Sequence, residues 1–462
     1  MAVTSRLGTA RIPVVRIGAW TTTALAAVAV LAAIGWALPA DRIVAVALVS
    51  LVVAVGASLL DPMAVPLLSM LGMIVVQRVG GGVSLSLSDF VLFGATWVAL
   101  ALGPRPFSRP MRALLWISAF YQLTTLFTVI ANPYTANVVE WCHAWMLVAG
   151  ALVVGWALGR SGHASAALAL LLAPCAAIAV GTLFTWLTQA ARGDFGAVYL
   201  FWPYGMHKNY IGTTLAFAAA VMYARPPWLR WPRNLTRALF WLFVLAVAAS
   251  QARQAYVSLA VGLVILMLRP GQGVRHSRWV LVPIVVAVVF VLTSTHEQVD
   301  SGNQFNSTYQ RLSWFQDSLT VWRVAPLFGV GLRWWYTGKY FSFQPPNAEL
   351  EVLSSTGVVG LTGFVVLAIG GLWVLWKVRA DFGTVAFTVV LMRLVQGQLD
   401  LFWVAVSVSV PYLIAGVCVG AAALADERGD LPPSRRAKGR HHVPPPELAP
   451  PSYRPTTTMV SP

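Results

Sequence analysis

The stretch SQARQAYVSLAVGLVILML, from Ser250 to Leu268, has the composition of a membrane helix with Arg253 near its mouth. A charge at bilayer depth costs about 3 kcal/mol on insertion scales unless it is paired. Arg253 lies sixteen residues from Arg237 and sixteen from Arg269. Sixteen helical residues rise about 24 Å, whereas the hydrocarbon core is about 30 Å thick. A chain that enters from one surface and returns to it would therefore turn below the far boundary. The spacing predicts two short antiparallel helices over 238–268, with Arg253 at a recessed tip. Backbone at that depth must be covered by protein or line a watery cavity. Two roles are open to the arginine: a snorkelling interfacial side chain, or a cation on a cavity floor facing an anion.

Other residues with usable chemistry fall in two segments between apolar runs. In NSTYQRLSWFQDSLTVWRVAPLFGVG, the residues Tyr309, Leu312, Phe315, Leu319 and Trp322 recur at helical spacing, which predicts an amphipathic helix on the membrane with Arg311 near its start. Gly329 and Gly331 then allow a tight backbone path. Twelve aromatics lie between 296 and 350, among them Trp314, Trp334 and Trp335. Their flat rings suit sugar faces and also the membrane interface. In QPPNAELEVLSSTGVVG, Asn347 suits an N-cap, and Glu349 and Glu351 suit the positive end of the helix it would start. The same placement puts a carboxylate at the cavity mouth, where Glu349 could serve as a general base. GMHKNYIG offers His207, Lys208 and Asn209 just before another apolar run. His207 is the rival base, because its unperturbed pKa suits neutral pH.

These residues need a membrane scaffold. The chain has 462 residues, 58% hydrophobic and only 10% charged, which excludes an ordinary soluble protein. The expected fold is an all-α polytopic membrane helix bundle of about 12–14 spanning helices. Candidate spans fall near 19–38, 43–60, 63–77, 88–103, 112–131, 139–159, 165–187, 209–224, 235–250, 254–268, 279–295, 351–376, 383–398 and 401–425. The run at 63–77 is short and suits a re-entrant segment as well. The expected organisation is a cytoplasmic segment 1–18, a membrane domain 19–425 with a large outer loop at about 296–350, and a disordered cytoplasmic tail 426–462. With the N-terminus in the cytoplasm, 22 of the 32 Lys and Arg fall on the cytoplasmic side, which supports that orientation. The net charge of +16 is scattered between apolar runs rather than gathered on one face, so no nucleic-acid partner is expected. Cys142, Cys175 and Cys418 form neither a disulfide framework nor a metal cluster, and no metal or cofactor is expected.

Three separated stretches, HKNYIGTTLAFAAAV, SQARQAYVSLAVGLVIL and QRLSWFQDSLTVWRVAPLFGVG…PPNAELEVLSSTGVVG, together resemble the superfamily of O-antigen ligases and O-antigen polymerases. The resemblance covers about 207–363 and the helix count. It implies transfer of a glycan from a polyprenyl-diphosphate carrier to a glycan or lipid acceptor hydroxyl, outside the cytoplasmic membrane and without a metal. By that resemblance Arg253 faces the donor diphosphate, Arg311 is the loop arginine, and Asn347 belongs to the helix entry. Lys208, Asn209, Gln254, Tyr256, Asn347, Trp314, Trp334 and Trp335 are the expected substrate-facing residues. The sequence departs from the family pattern at Pro346, where ligases usually carry His, and at Gln254, where the pattern has Gly. The missing His favours a polymerase over a ligase. The alternative is a transporter or flippase of lipid-linked envelope precursors, although most candidate residues cluster at the outer side rather than at the midplane.

Overall fold

The computed structural model describes residues 52–53, 55–78, 85–269, 307–340 and 343–429, with isolated positions 279, 282, 285, 289 and 293. These residues form α1 (Ala64–Gly72), α2 (Leu87–Leu102), α3 (Arg109–Ala131), α4 (Thr135–Arg160), α5 (Ala164–Ala190), α6 (Lys208–Ala224), α7 (Arg233–Ser250), α8 (Arg253–Leu268), α9 (Ser307–Val324), α10 (Ala348–Lys377), α11 (Ala380–Gly397) and α12 (Ala405–Arg428). Among the described residues there is no β-strand, only isolated bridges. Six helices, α3, α4, α5, α10, α11 and α12, are long and apolar enough to cross a membrane, and α2 and α8 are shorter apolar helices. The protein is an all-α, multi-pass bundle. The chain divides into Met1–Leu424 and Ala425–Pro462, and the second unit is described only as far as Gly429. The expected segment 1–18, the spans at 19–38 and 279–295, most of that at 43–60 and most of the tail lie outside the described residues.

Helix starts follow from local chemistry. Asp89 reaches back to accept from the Ser86 N–H at 2.7 Å, Asn347 Oδ1 accepts from the Leu350 N–H at 3.0 Å, and His207 Nδ1 accepts from the Asn209 N–H at 3.2 Å. α6 is apolar all round and nearly all buried, so it forms the centre of the bundle. α4 and α12 cross at Gly155 and Gly159 of one and Gly416 and Gly420 of the other, where any side chain would strike the facing backbone. Large apolar side chains such as Trp116, Phe184, Ile369 and Trp373 point outward, as hydrocarbon-facing residues do.

The structure adds detail to three expectations. The run at 63–77 yields only the nine residues of α1, about 14 Å of helix, which does not span. The chain does turn at Gln251, in the left-handed region at φ 51°, but α7 and α8 scarcely touch. Both pack on α6 instead, because Gly212 lets α6 press against Ser250, Ala252 and Ala255 at the turn. α9 rests on the bundle through residues outside the apolar stripe expected to lie on the membrane. Ser318 and Val321 are buried, whereas Leu319 is exposed. Ser318 can sit inside because its hydroxyl donates to the Trp314 carbonyl at 2.6 Å.

α10 is broken at Gly357, where φ is 66°. The interruption frees the Val358 and Val359 N–H groups to donate to Pro326 O at 2.9 Å and Leu327 O at 3.2 Å. Gly329 and Gly357 bring the outer segment's backbone directly against α10, since a Cβ at either would overlap backbone atoms. At the opposite end of the bundle, the Arg269 guanidinium donates to Trp376 O and Val378 O at 2.6 and 2.8 Å, joining the last turns of α8 and α10.

Candidate functional site

The first turns of α6, α8 and α10 meet the α11–α12 turn at one end of the bundle. α6 supplies His207 as its cap and Lys208 as its first residue; α8 begins on Arg253; α10 begins on Asn347 and carries Glu349 in its first turn. Gln254 is buried, at 2% exposure, and donates to Asp400 Oδ2 at 3.0 Å. Gln398 donates to Glu349 Oε1 at 2.8 Å and accepts from Asn347 Nδ2 at 3.3 Å. The second carboxylate oxygen of Glu349, Oε2, is buried without a hydrogen-bond partner. An oxygen in that state can accept a hydroxyl proton.

Three cations converge here from separate parts of the chain. Lys208 lies within electrostatic reach of both Arg253 and Arg311. Three positive groups within reach of one another, with Lys208 half-buried, repel one another, and such an arrangement suits a multiply charged anion. His207 sits beside them, within electrostatic reach of Lys208 and Asp400. Desolvation lowers its pKa from the ordinary 6.5, Lys208 adds to that, and Asp400 opposes it. Its Nδ1 is already engaged in capping α6, and its ring meets Tyr199 edge-on at 5.2 Å.

The remaining expected residues divide. Asn209 stands in the first turn of α6, beside Lys208. Tyr256 donates to the Ala248 carbonyl at 2.7 Å, which staples the α7–α8 turn. Trp314 packs on Phe343 with ring centroids 5.0 Å apart. Trp335 is partly buried beside Trp334. Trp334 is a correction: it is 0% exposed, donates to Ser354 Oγ at 3.2 Å and forms a small core with Val321 and Val330, so its ring faces cannot receive a sugar.

Sequence reasoning passed over Gln398, Asp400 and Arg393. The two spans at 383–398 and 401–425 left only a two-residue connection, which hid the turn. The signal was there in GQLDLFW, a carboxylate between two apolar runs, and in Arg393, a charge inside a span. Arg393 is buried and donates to the Leu401 and Phe402 carbonyls, so it folds the turn that carries Asp400 and Gln398. Phe402 N–H in turn donates to Glu351 Oε2 at 3.2 Å. Two residues apart on α10, Glu349 and Glu351 point to opposite faces. Among the described residues no group of three or more His, Cys, Asp or Glu side chains could hold a metal ion.

Residues 238–365 match the family model described as O-Antigen ligase. That segment is similar to the O-antigen ligase domain. It spans α7, α8, α9 and the first part of α10, and so includes Arg253, Gln254, Arg311, Asn347 and Glu349. His207, Lys208, Asn209 and Asp400 come from outside the matched segment. No curated protein matches the chain. The O-antigen ligase domain belongs to the O-antigen ligase/polymerase superfamily. On a multi-pass bundle, the match supports an O-antigen ligase-like membrane glycosyltransferase in general terms.

Proposed function

We propose that the protein transfers a glycan from a polyprenyl-diphosphate carrier to an acceptor hydroxyl on the extracytoplasmic side of the cytoplasmic membrane, as a polymerase rather than a ligase. The observation that carries this reading is the meeting of Lys208, Arg253 and Arg311 at the end of the bundle where Glu349 keeps one carboxylate oxygen without a hydrogen-bond partner. In the proposed step the acceptor oxygen attacks the anomeric carbon of the donor sugar. The bond from that carbon to the diphosphate oxygen breaks, and its electron pair leaves with the diphosphate. The acceptor proton passes to Glu349 Oε2. The three cations stabilise the charge that develops on the leaving diphosphate, the role a metal ion plays elsewhere. Gln398 holds the other Glu349 oxygen, which fixes the carboxylate's aim.

Pro346 stands where ligases of the superfamily carry a histidine, and that difference favours the polymerase. Glycan analysis of a deletion strain tests the choice. Loss of a polymerase leaves short single-unit glycans attached to their acceptor, whereas loss of a ligase leaves full-length chains on the carrier. Unchanged glycans in the deletion strain, with no lipid-linked intermediate accumulating, would overturn both.

A further inference from the structure

A second set of charged side chains lies away from Lys208, Arg253 and Arg311, within the bundle. His143 of α4 places Nε2 3.0 Å from Asp89 Oδ1 of α2 and Nδ1 3.3 Å from Glu140 Oε2, one turn earlier on its own helix. Both ring nitrogens face carboxylate oxygens, an arrangement that only the imidazolium, with two N–H donors, satisfies. Glu140 Oε2 also meets Arg333 Nε of the outer segment at 2.5 Å. Asp89, Glu140 and His143 are each at most 5% exposed. Two carboxylates, one imidazolium and one guanidinium make a charge-balanced chain, the condition under which buried ions persist.

The chain ends on a segment that is gripped from two sides. Asn132 donates to Gly329 O at 3.2 Å, Tyr134 to Leu332 O at 2.6 Å, and Asn137 Oδ1 accepts from Leu332 N at 2.9 Å. Ser354 O and Ser355 O of α10 accept from Val330 N and Gly331 N on the other side. Arg333 itself has a left-handed backbone at φ 57°, a conformation that costs a non-glycine residue and persists only where its surroundings demand it. Its side chain meets the one carboxylate, Glu140, that His143 and Asp89 hold in place. Directly N-terminal to this segment stands α9, with Arg311 near its start.

We propose that Glu140 is a positioning residue: through Arg333 it clamps the outer segment, and with it α9 and Arg311, onto the bundle at α3 and α4. The inference about Arg311 rests on the diphosphate site proposed above; the clamp itself does not. The same pair also borders a cavity of about 10 Å³, room for one water molecule, whose far wall includes Glu351 and Trp403. The clamp thereby also abuts the first turn of α10, two residues from Glu349.

The test uses the full chain in lipid nanodiscs, with Cys142, Cys175 and Cys418 replaced by Ala and Leu332→Cys added. Leu332 is 6% exposed beneath the clamp, so an impermeant maleimide should label it slowly. Glu140→Gln should raise the labelling rate about tenfold or more, the factor that 1.4 kcal/mol of lost docking free energy carries. Arg333→Gln breaks the same pair from the outer segment and leaves Glu140 facing His143, so the bundle keeps its fold. It should accelerate labelling similarly, and the double variant no more than either single one. In transfer assays with a lipid-linked glycan donor, both variants should raise the donor KM more than they lower kcat, with partial recovery in Arg333→Lys. Labelling unchanged by either variant would overturn the clamp. Faster labelling with an unchanged donor KM would overturn the positioning of Arg311. A parent protein that transfers no glycan would sink the functional proposal, while the labelling rates would still decide the clamp.

Discussion

At the scale of single residues, the proposed chemistry separates three kinds of group. Arg253 should tolerate no replacement that keeps charge alone, because a planar guanidinium grips two phosphate oxygens and an ammonium grips one. Arg253→Lys is expected to lose most transfer activity at normal expression, and Arg311→Ala to raise the donor KM. Wild-type glycans from both variants would contradict the diphosphate assignment. Glu349→Gln keeps the bond from Gln398 but removes the base, so turnover should drop by about 10²–10⁴-fold while donor binding survives. His207 is the discriminating position. Its Nδ1 accepts a backbone N–H only while it is unprotonated, and desolvation lowers its pKa from 6.5. A group with a lowered folded value contributes stability above its unfolded value, and loses it as pH falls through the folded one. The cap should therefore weaken on the acid side of pH 6.5. His207→Asn supplies a cap that does not titrate, so it should stay active and flatten that acid limb, whereas His207→Ala should cost about 1 kcal/mol of stability. An inactive His207→Asn with an active Glu349→Gln would move the base to His207.

At the scale of elements, what could be read from sequence was set by how many physical demands a segment meets. Asn347 had one demand, an N-cap, and reads correctly. The short arms around Arg253 were legible from the spacing of basic residues, but not their separation, because the wedge between them is Gly212 of a distant helix. α9 was legible as a helix with an apolar stripe, but not in the face it turns to the bundle. A helix between protein and lipid can be apolar on two sides, so spacing alone does not say which side is buried. The break in α10 had a visible cause in Gly357 but no visible purpose until the outer segment's carbonyls were located. Gly357→Ala and Gly329→Ala each combine a left-handed backbone with an overlap of Cβ and main chain. Each should lower stability by at least about 1–3 kcal/mol, seen as a lower unfolding midpoint in detergent. A midpoint equal to that of the parent would mean that the outer segment does not rest on α10. Cysteine accessibility addresses the depth of the α7–α8 turn. A bulky impermeant reagent should label Arg253→Cys slowly, and fast, complete labelling would mean an exposed tip.

At the scale of the whole molecule, the hydrophobic bundle follows from composition, and charge predicts the side on which the site opens. The buried ion chain was the least legible part. Asp89 lies in one apolar run and Glu140 and His143 in another, and nothing in their spacing joins α2 to α4 or either to Arg333. The orientation, in contrast, is a prediction that sequence and structure make together. The first turns of α6, α8 and α10 lie with the α11–α12 turn at one end of the bundle, and Arg269 ties the last turns of α8 and α10 at the other. The excess of Lys and Arg predicts that the second end faces the cytoplasm. A donor whose diphosphate is met at the first end must then already have been carried across the membrane. Single cysteines placed in a cysteine-free chain decide it in intact cells with an impermeant maleimide. Asp194→Cys and Lys339→Cys, both on exposed segments at the site's end, should label directly. Ser161→Cys and Asp381→Cys should label only after the membrane is permeabilised. The reverse pattern would put Lys208, Arg253 and Arg311 in contact with the cytoplasm. The anion they attract would then be one made there, and a glycan polymerase acting outside the membrane would be excluded.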